Sequence, residues 1–285
     1  MVLRITCQQP QSLVEEADLR IPMHVLDCLQ AGHKTCVVMS NDTDVTVALL
    51  FHMPTFLQEG LKELWVRAGR GNTTRFIPLH ILYTRLGPLM CTVLPALHSL
   101  TGCDVTSKIG TKKAALKADA VAYLHGFGAT APLVPSLIQQ AEQYLVHVVD
   151  AGNKSSNFLQ LRAHQFHFSK SASHQNLPPT SQGLTPHIYR AFFNAYTTMH
   201  ALDRQLNIRT ADLDPLDNGF ALENGNLLPS TSWKSLEPRW NVVCHCGKCA
   251  RVTCPCRAAM VKCCLFCKCL KTDNCKNPHN RSDEH

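Results

Sequence analysis

The sequence predicts an α/β fold followed by a mostly helical segment and a small cysteine-rich module. In the first 125 residues, short β-branched runs alternate with segments of helical periodicity, an order typical of a mostly parallel sheet with flanking helices. Residues 126–206 continue with helical periodicity. Ten of the 15 cysteines then lie between Cys244 and Cys275, a density that favours a separate module held together by its thiols.

The individual elements follow from apolar spacing and from turn residues. Strands are expected at 35–40, 61–69 and 75–77. Helices are expected at 15–33, 45–53, 78–86, 88–100, 112–124, 132–148, 158–170 and 187–206, with a turn-rich stretch at 174–186. The predicted organisation is an α/β core at 1–125, a helical segment at 126–206, a linker at 207–239, a cysteine module at 240–279 and a tail at 280–285.

The composition limits which classes of protein this chain can belong to. The chain has 285 residues and a formal net charge of +7, which favours an acidic partner without proving one. Its first residues lack the apolar core of a secretory signal. No apolar run reaches the roughly 18 residues that a transmembrane helix needs. The chain is therefore expected to be soluble and intracellular, with no membrane partner.

The cysteines divide into two groups by their surroundings. Five of them sit singly among apolar or helical neighbours and are interpreted as small buried hydrophobes: Cys7, Cys28, Cys36, Cys91 and Cys103. The C-terminal ten occur in Cys-x-Cys and Cys-x-x-Cys spacings, which let two thiolates reach one zinc ion from a tight turn. Three separate tetrahedral sites would need twelve ligands, so nine or ten cysteines imply either two sites or thiolates shared between ions.

One stretch of this cluster has a specific pattern. Cys254-Pro-Cys256 is followed after six residues by Cys263, then after three by Cys267-Lys-Cys269, and later by Cys275-Lys276-Asn277. This pattern resembles the CXC module of the tesmin/TSO1 family. The resemblance implies three zinc ions, contact with DNA, and Cys264 left over from nine ligands. The implied ligands are Cys244, Cys246, Cys249, Cys254, Cys256, Cys263, Cys267, Cys269 and Cys275.

The cysteine module also departs from that family. The gap from Cys246 to Cys249 is shorter, the gap from Cys269 to Cys275 is longer, and Thr253 replaces an aromatic that helps to contact DNA. Eight Lys and Arg side chains lie beyond Trp240. They are interpreted either as phosphate contacts or as cations that neutralise the thiolates.

Three short acidic motifs in the α/β core point to a second site. They are Glu15-Glu16-Ala17-Asp18, Ser40-Asn41-Asp42-Thr43-Asp44 and Thr101-Gly102-Cys103-Asp104. Because the ends of strands in an open α/β sheet gather along one edge, their carboxylates are expected to meet there. Oxygen ligands suit Mg²⁺ or Mn²⁺. The alternative is that each Asp is a cap or turn residue, and Asp42 is well placed to cap the next helix.

The order of these motifs resembles the internal region of the XPG/flap-endonuclease, PIN-like nuclease superfamily. Ile109-Gly110-Thr111-Lys112-Lys113-Ala114 further resembles its Ile-Gly-x-Lys-x-Ala motif, and the chain as a whole is similar to transposon-derived proteins with a cysteine-rich tail. The resemblance implies part of a PIN-like parallel sheet and a metal-dependent nuclease. The implied catalytic residues are Glu16, Asp18, Asp42, Asp44 and Asp104, and the implied nucleic-acid-binding residues are Ile109, Gly110, Lys112 and Lys113.

Several hypotheses about activity stay open. The family's first catalytic Asp lies on a strand well before its Glu-Ala-Glu motif, and here the sequence begins about fifteen residues before Glu16, as expected for a nuclease core truncated at its N-terminus. The chain is therefore a metal-dependent nuclease, a catalytically inactive DNA-binding scaffold, or a zinc-dependent protein-interaction module. DNA is the expected partner and RNA the second candidate, with the nucleus as the expected location and the cytoplasm as the alternative. The histidines at 24, 52, 80 and 98 are interpreted as core or surface residues.

Overall fold

The computed structural model describes residues 17–110, 112–117, 119–150, 155–168, 177–203, 213–230, 242, 244–263, 267–269 and 275–281. The chain divides into two compact units. The first spans residues 1–169 and 178–230, and the second spans 170–177 and 231–285. The first unit is a mixed α/β structure in which helix predominates.

The first unit alternates strands and helices and then becomes helical. Its strands are β1 (Thr35–Met39), β2 (Glu63–Ala68), β3 (Arg75–Pro78), β4 (Phe220–Glu223) and β5 (Asn226–Pro229). Its helices are α1 (Ala17–Gln30), α2 (Thr43–Phe51), α3 (Met53–Gln58), α4 (Leu79–Leu86), α5 (Pro88–Thr101), α6 (Lys112–Lys117), α7 (Pro135–Val149), α8 (Phe158–Phe168) and α9 (Ser181–Met199). Within the described ranges, no helix is long and apolar enough to cross a lipid bilayer.

The main sheet has three strands in the order β1-β2-β3. β1 and β2 are parallel and are joined through α2 and α3, whereas β2 and β3 are antiparallel. The prediction of a mostly parallel sheet is therefore confirmed for β1 and β2 and wrong for β3. The physical reason is the connection between β2 and β3, which spans only residues 69–74 and is too short for the crossover that parallel strands require.

Two hydrophobic cores share one helix. The first lies between the sheet and helices α1 to α4, and the second lies among α5, α7, α8 and α9. Cys91 and Leu94 of α5 belong to the first core, while Leu97 and Leu100 belong to the second. Because the two sets of side chains point to different sides of α5, this helix is buried along most of its length.

Some predicted elements differ from those observed. The expected helix at 112–124 divides into α6 and a 3₁₀ helix at Asp119–Leu124. Helix α9 begins at Ser181, inside the stretch that was expected to be turn-rich, because Thr180 caps it by accepting a hydrogen bond from the Gly183 amide. The β4–β5 hairpin lies in the segment that composition indicates as a linker.

The second unit is built around sulfur. Its buried cluster consists of cysteines, with Val242 and Val261 packed against them. Its described residues include a short helix, α10 (Pro255–Ala258), and a 3₁₀ turn at Pro278–Arg281. With so little apolar side-chain volume to bury, a unit of this kind depends on its thiols and on what they bind.

His52 connects the two halves of the first unit. It lies between α2 and α3, is 5% exposed, and its Nε2–H donates to the Thr198 carbonyl of α9 at 2.9 Å. Burial lowers the pKa of His52 from 6.5 to about 4, because the charged imidazolium loses its hydration in the interior. The neutral form is therefore the one that fits the fold.

We expect this histidine to make the first unit acid-sensitive. Between about pH 6.5 and 4 the unfolded chain binds a proton at His52 that the folded chain does not, so stability falls as pH falls, by about 3 kcal/mol over that range. His52→Gln keeps an N–H donor for Thr198 but does not titrate. Urea unfolding followed by helical circular dichroism should show a smaller loss between pH 7 and 5 in the variant; an equal loss in both proteins would contradict the prediction.

Candidate functional site

Two of the three acidic motifs line one cavity of the first unit, and Asp18 of the third motif lies near them. Asp42, Asp44 and Asp104 line a cavity of about 330 Å³. Asp42 and Asp44 lie at the start of α2, directly after β1, and Asp104 lies in the turn after α5. Asp18, in the first turn of α1, lies close enough to Asp42 to share a hydrogen bond. Four of the five predicted catalytic residues are therefore neighbours, and Glu16 lies outside the described residues.

Asp42 has both of the roles considered from the sequence. It is the N-cap of α2, and its Oδ1 accepts a hydrogen bond from the Asp44 amide at 2.9 Å. Its own amide donates to Ser40 Oγ at 2.9 Å. This local network explains the spacing of Ser, Asp and Asp, because it turns the chain from β1 into α2. A cap uses one carboxylate oxygen, so Asp42 also contributes charge to the cavity.

His98 joins this cavity: it is buried, as its interpretation as a core residue implies, but it has an acidic partner that local sequence did not reveal. Its ring is 5% exposed, and Nε2 lies 2.5 Å from Asp44 Oδ1. His98 and Thr101 are three residues apart on α5, so both face the same side of the helix and both line the cavity. His98 and Asp44 are 54 positions apart, so local sequence alone does not pair them.

The neighbouring carboxylates act on the ionisation of Asp18. Burial raises the pKa of Asp18 above its usual value, and the charges of Asp42, Asp44 and Asp104 raise it further, as does its hydrogen bond with Asp42. The negative charges gathered around Asp18 create a site of negative potential. Lys108 is the cation that lines the cavity among the described residues.

The turn that carries Asp104 has a constrained backbone. Gly102 has φ +121°, and a Cβ there would lie 2.8 Å from the Lys108 Cα, so an L side chain fits neither the conformation nor the space. Thr106 holds the turn closed, since its Oγ1 donates to the Ser99 carbonyl at 2.6 Å and accepts from the Cys103 amide at 3.0 Å. The Gly-x-Asp spacing therefore presents Asp104 from a rigid turn.

The predicted nucleic-acid-binding residues follow this turn. Ile109 packs partly against the second core, and its amide donates to the Thr101 carbonyl at 3.1 Å. Gly110 has φ +65° and lies against Val148 of α7. The backbones of Lys112 and Lys113 begin α6. The structure brings this segment close to α5 and α7, and its contact with nucleic acid stays a prediction.

The residues of the cavity suit a hard cation by their chemistry. Carboxylate and hydroxyl oxygens are the ligands that Mg²⁺ and Mn²⁺ prefer. Their packing is looser than that of a closed metal cage. In the part of the chain that is described, groups of three or more acidic, His or Cys residues whose ligand atoms all lie within 4.8 Å of one another contain only cysteines. Substrate and water would have to complete the coordination of an ion here.

The cysteines of the second unit form a tighter site. Cys244 Sγ lies 3.2 Å from Cys249 Sγ and 3.7 Å from Cys269 Sγ, and Cys256 Sγ lies 3.6 Å from Cys267 Sγ. Four sulfurs at about 2.3 Å from a tetrahedral zinc ion are about 3.8 Å apart. A disulfide would need about 2.0 Å. No disulfide joins the thiols of the described residues, and those of this cluster are spaced to hold a metal ion.

These thiols form three overlapping groups of four, and each group could hold one ion. Cys244 belongs to all three groups, while Cys249 and Cys263 each belong to two. The groups are Cys244, Cys246, Cys249 and Cys254; Cys244, Cys249, Cys263 and Cys269; and Cys244, Cys256, Cys263 and Cys267. Cys275 adjoins them, with its Sγ 3.7 Å from Cys263 Sγ. All nine predicted ligands are thus collected, while Cys264 lies outside the described residues.

The thiol pKa values show why a cation belongs in this cluster. Burial raises the pKa of Cys244 and Cys249 far above that of a free thiol, and neighbouring thiols add to this for Cys244. Metal binding requires thiolates, and a bound cation offsets the cost of charging them. Loading of the cluster should therefore release protons and become weaker at low pH.

Two asparagines that follow the last cysteine close the cluster. Asn277 is 1% exposed, and its Nδ2 donates to the Val261 carbonyl at 2.9 Å and to Cys263 Sγ at 3.2 Å. Asn280 Oδ1 accepts from the Cys263 amide at 2.7 Å, and its Nδ2 donates to Cys275 Sγ at 3.1 Å. Lys276-Asn277 belongs to the CXC-like pattern of the sequence. The spacing of the cysteines gives no indication of the role of Asn280.

Comparisons of the chain with models of protein families, with curated proteins and with solved structures find no match. The resemblances to a PIN-like nuclease and to a CXC module therefore stay predictions.

We expect removal of one carboxylate to stabilise the first unit when Mg²⁺ is absent. A raised carboxyl pKa means that the folded state loses stability as pH rises through it. Asp104→Asn removes one of the charges responsible and should raise the melting temperature at pH 7.5 by about 2 °C. Glu59→Gln, which removes an exposed carboxylate from α3's end, is the control. Added Mg²⁺ should raise the melting temperature of the parent protein more than that of Asp104→Asn, as measured by scanning calorimetry. An equal rise in both proteins would contradict the prediction.

We expect the cysteines to differ in how much metal their loss releases. Cys246 belongs to one group and Cys244 to all three. Cys246→Ser should therefore lose about one zinc ion, whereas Cys244→Ser should lose most of the metal and unfold the second unit. Native mass spectrometry gives the zinc-to-protein ratio. Cys91→Ser, which changes a cysteine of the first core, should keep the parent ratio; equal losses in Cys244→Ser and Cys246→Ser would contradict thiolate sharing.

Proposed function

We propose that the chain is a nucleic-acid-associated protein of the transposon-derived nuclease type. In this proposal the first unit hydrolyses phosphodiesters with Mg²⁺ or Mn²⁺, and the second unit binds zinc and anchors the chain on DNA. The observation that carries it is the convergence of Asp42, Asp44 and Asp104 on one cavity, with Asp18 of a third element close to Asp42. If each Asp served only as a helix cap or turn residue, these carboxylates would have no reason to lie together.

The chain's own residues have distinct roles in this proposal. A divalent ion supplies a Lewis acid and lowers the pKa of a bound water. Asp42, Asp44 and Asp104 would hold the ion, with Asp18 adding negative charge behind them. His98 holds the Asp44 carboxylate through Nε2, and Lys108 lies where it can contact a phosphate oxygen.

The surface of the second unit supports a role as an anchor on DNA. Lys248, Arg251, Lys268 and Lys276 are exposed around the cysteine cluster. The Lys276 amide donates to the Lys248 carbonyl at 2.8 Å, which places these two lysines side by side. Exposed cations held by a rigid cluster suit the regular phosphates of a duplex. Residence in the nucleus follows from this proposal.

The alternative is a catalytically inactive scaffold that binds DNA or a protein. It is supported by the spacing of the carboxylates, none of which belongs to a compact group of ligand atoms among the described residues. It is also supported by His98, which already pairs with Asp44. In this alternative the cavity is a remnant, and the zinc unit alone carries function.

Cleavage assays separate the two candidates. The parent protein should cut flap, nicked or single-stranded substrates only when Mg²⁺ or Mn²⁺ is present. Asp42→Asn preserves the N-cap acceptor while removing charge, and it should lower the rate by about 100-fold, as should Asp104→Asn.

The control for this assay is Glu59→Gln, which should cleave like the parent protein. Retained DNA binding with no cleavage of any of these substrates would support the scaffold. A chain that binds no DNA, or binds it without the steep salt dependence of phosphate contacts, would leave zinc-dependent protein interaction as the function.

A further inference from the structure

The outer face of the three-stranded sheet is uncovered within the described part of the chain. Val37 is 54% exposed, Met39 69% and Phe76 55%. The opposite face carries Cys36, Val38, Leu64, Val66 and Ile77, which pack against the first core. A parallel pair of strands usually has both faces covered. An exposed apolar face of this kind is typical of a binding surface.

The strand register arranges this outer face in two rows. Directly opposed residues share a face, so Val37, Trp65 and Pro78 form one row. Met39, Arg67 and Phe76 form the next. Arg67 Nη1 lies 4.0 Å from Met39 Sδ. The second row therefore offers a guanidinium plane beside an exposed aromatic ring.

The loop at the end of this face adds positive charge. Residues 65–79 contain three arginines, Arg67, Arg70 and Arg75, and no acidic residue. Arg70 and Arg75 are exposed, and none of the three forms an ion pair with a described carboxylate. The acid of the face, Glu63, accepts a hydrogen bond from Trp65 Nε1 at 3.2 Å. The Arg-bearing end of the sheet is thus cationic.

The loop backbone is held in one shape and lies next to the carboxylate cavity. Gly69 has φ +87°, and a Cβ there would lie 2.2 Å from the Thr73 carbonyl oxygen. Thr73 Oγ1 donates to the Arg70 carbonyl at 2.7 Å and accepts from its amide at 3.1 Å. The Gly69 amide also donates to Asn41 Oδ1 at 2.6 Å. Since Asn41 precedes Asp42, the loop and the cavity are parts of one rigid edge.

We infer that this face binds a single strand of nucleic acid. Bases would stack on Phe76 and on the Arg67 guanidinium, and Arg70 of the adjoining loop would contact a phosphate, since aromatic rings, arginine planes and cations are the features that hold single strands. Arg75 pairs with Ala68 and therefore belongs to the opposite face of the sheet. A second copy of the chain would bury the same arginines against a surface with one carboxylate. The inference rests on the nucleic-acid association proposed above but not on hydrolysis, because the face is separate from the carboxylates.

Substitutions at Phe76 test the stacking. Fluorescence anisotropy of the full, zinc-loaded chain with labelled oligo(dT) of about twelve nucleotides, without Mg²⁺, measures binding. Phe76→Tyr should bind like the parent protein, while Phe76→Leu, which keeps an apolar side chain but no ring, should bind about tenfold more weakly. Leu89→Ala, which changes an exposed leucine on α5, is the matched control.

Substitution of the arginines tests the phosphate contacts. Arg70→Ala should reduce the slope of log affinity against log salt by about 0.7 for the single strand, and Arg85→Ala, an exposed arginine on α4, should leave it unchanged. Single-strand affinities of Phe76→Leu and Arg70→Ala that equal the parent's would overturn the inference.

Binding to duplex DNA and the oligomeric state in light scattering distinguish a single-strand site from other uses of this face. Duplex binding should be the same in Phe76→Leu and the parent protein, because a paired duplex offers no free base to stack. A parent protein that self-associates in light scattering, and becomes monomeric on Phe76→Leu, would instead assign the face to a second copy and overturn the inference. Loss of all nucleic-acid binding in the parent protein would overturn the proposed function as well, whereas absence of cleavage alone would leave this surface intact.

Discussion

Helix α5 is the element on which the first unit depends. It packs against the sheet core with one side and against the helical core with the other. Its last turn carries His98 and Thr101 into the cavity, and it stops at Gly102, where the chain turns towards Asp104. A helix held from both sides has little freedom to shift. The position of the cavity wall is therefore set by packing far from the carboxylates.

The same packing holds together charges that repel each other. Asp18, Asp42 and Asp104 come from three elements whose apolar sides are fixed by burial. Hydrophobic contact can hold such charges close at a cost to stability, as functional sites often do. Lys108 places a positive charge at the cavity, and His98 forms a hydrogen bond with Asp44. The fold thus keeps a cation-attracting site at the edge of the sheet, beside a loop that carries arginines.

Local patterns were sufficient for the elements but not for their arrangement. A β-branched run predicted β1, alternation predicted β2, and a turn at 70–74 predicted β3 after it. Gly87-Pro88 predicted the break between α4 and α5, because all these signals act over neighbouring residues. The antiparallel pairing of β3 depends on loop length, and the break between α6 and the following 3₁₀ helix depends on tertiary packing. The exposed outer face of the sheet was not predicted either, since a short β-branched run does not show how many of its faces are covered.

The two candidate sites were predictable to different degrees. Cysteine spacing predicted a metal site of nine or ten thiols, and the resemblance to the CXC module implied nine of them. Eight of these lie in the groups of sulfurs that could hold an ion, because thiols close in sequence reach one ion with little help from the fold. The acidic motifs were found through their order, and the structure brings four of their carboxylates together. His98 was missed because its partner is distant in sequence. Asn280 was missed because hydrogen bonds to sulfur leave no spacing rule.

The shared position of Cys244 has a consequence for how the second unit assembles. Cys244 belongs to all three groups of ligands. Binding of one ion would therefore also fix the Cys244 thiolate in position for the other two ions. The first ion to bind would therefore prepare the remaining sites, and partly loaded chains would be rare compared with empty and full ones. Such a unit responds to metal supply as a threshold. Oxidation of that single sulfur would empty the whole cluster at once.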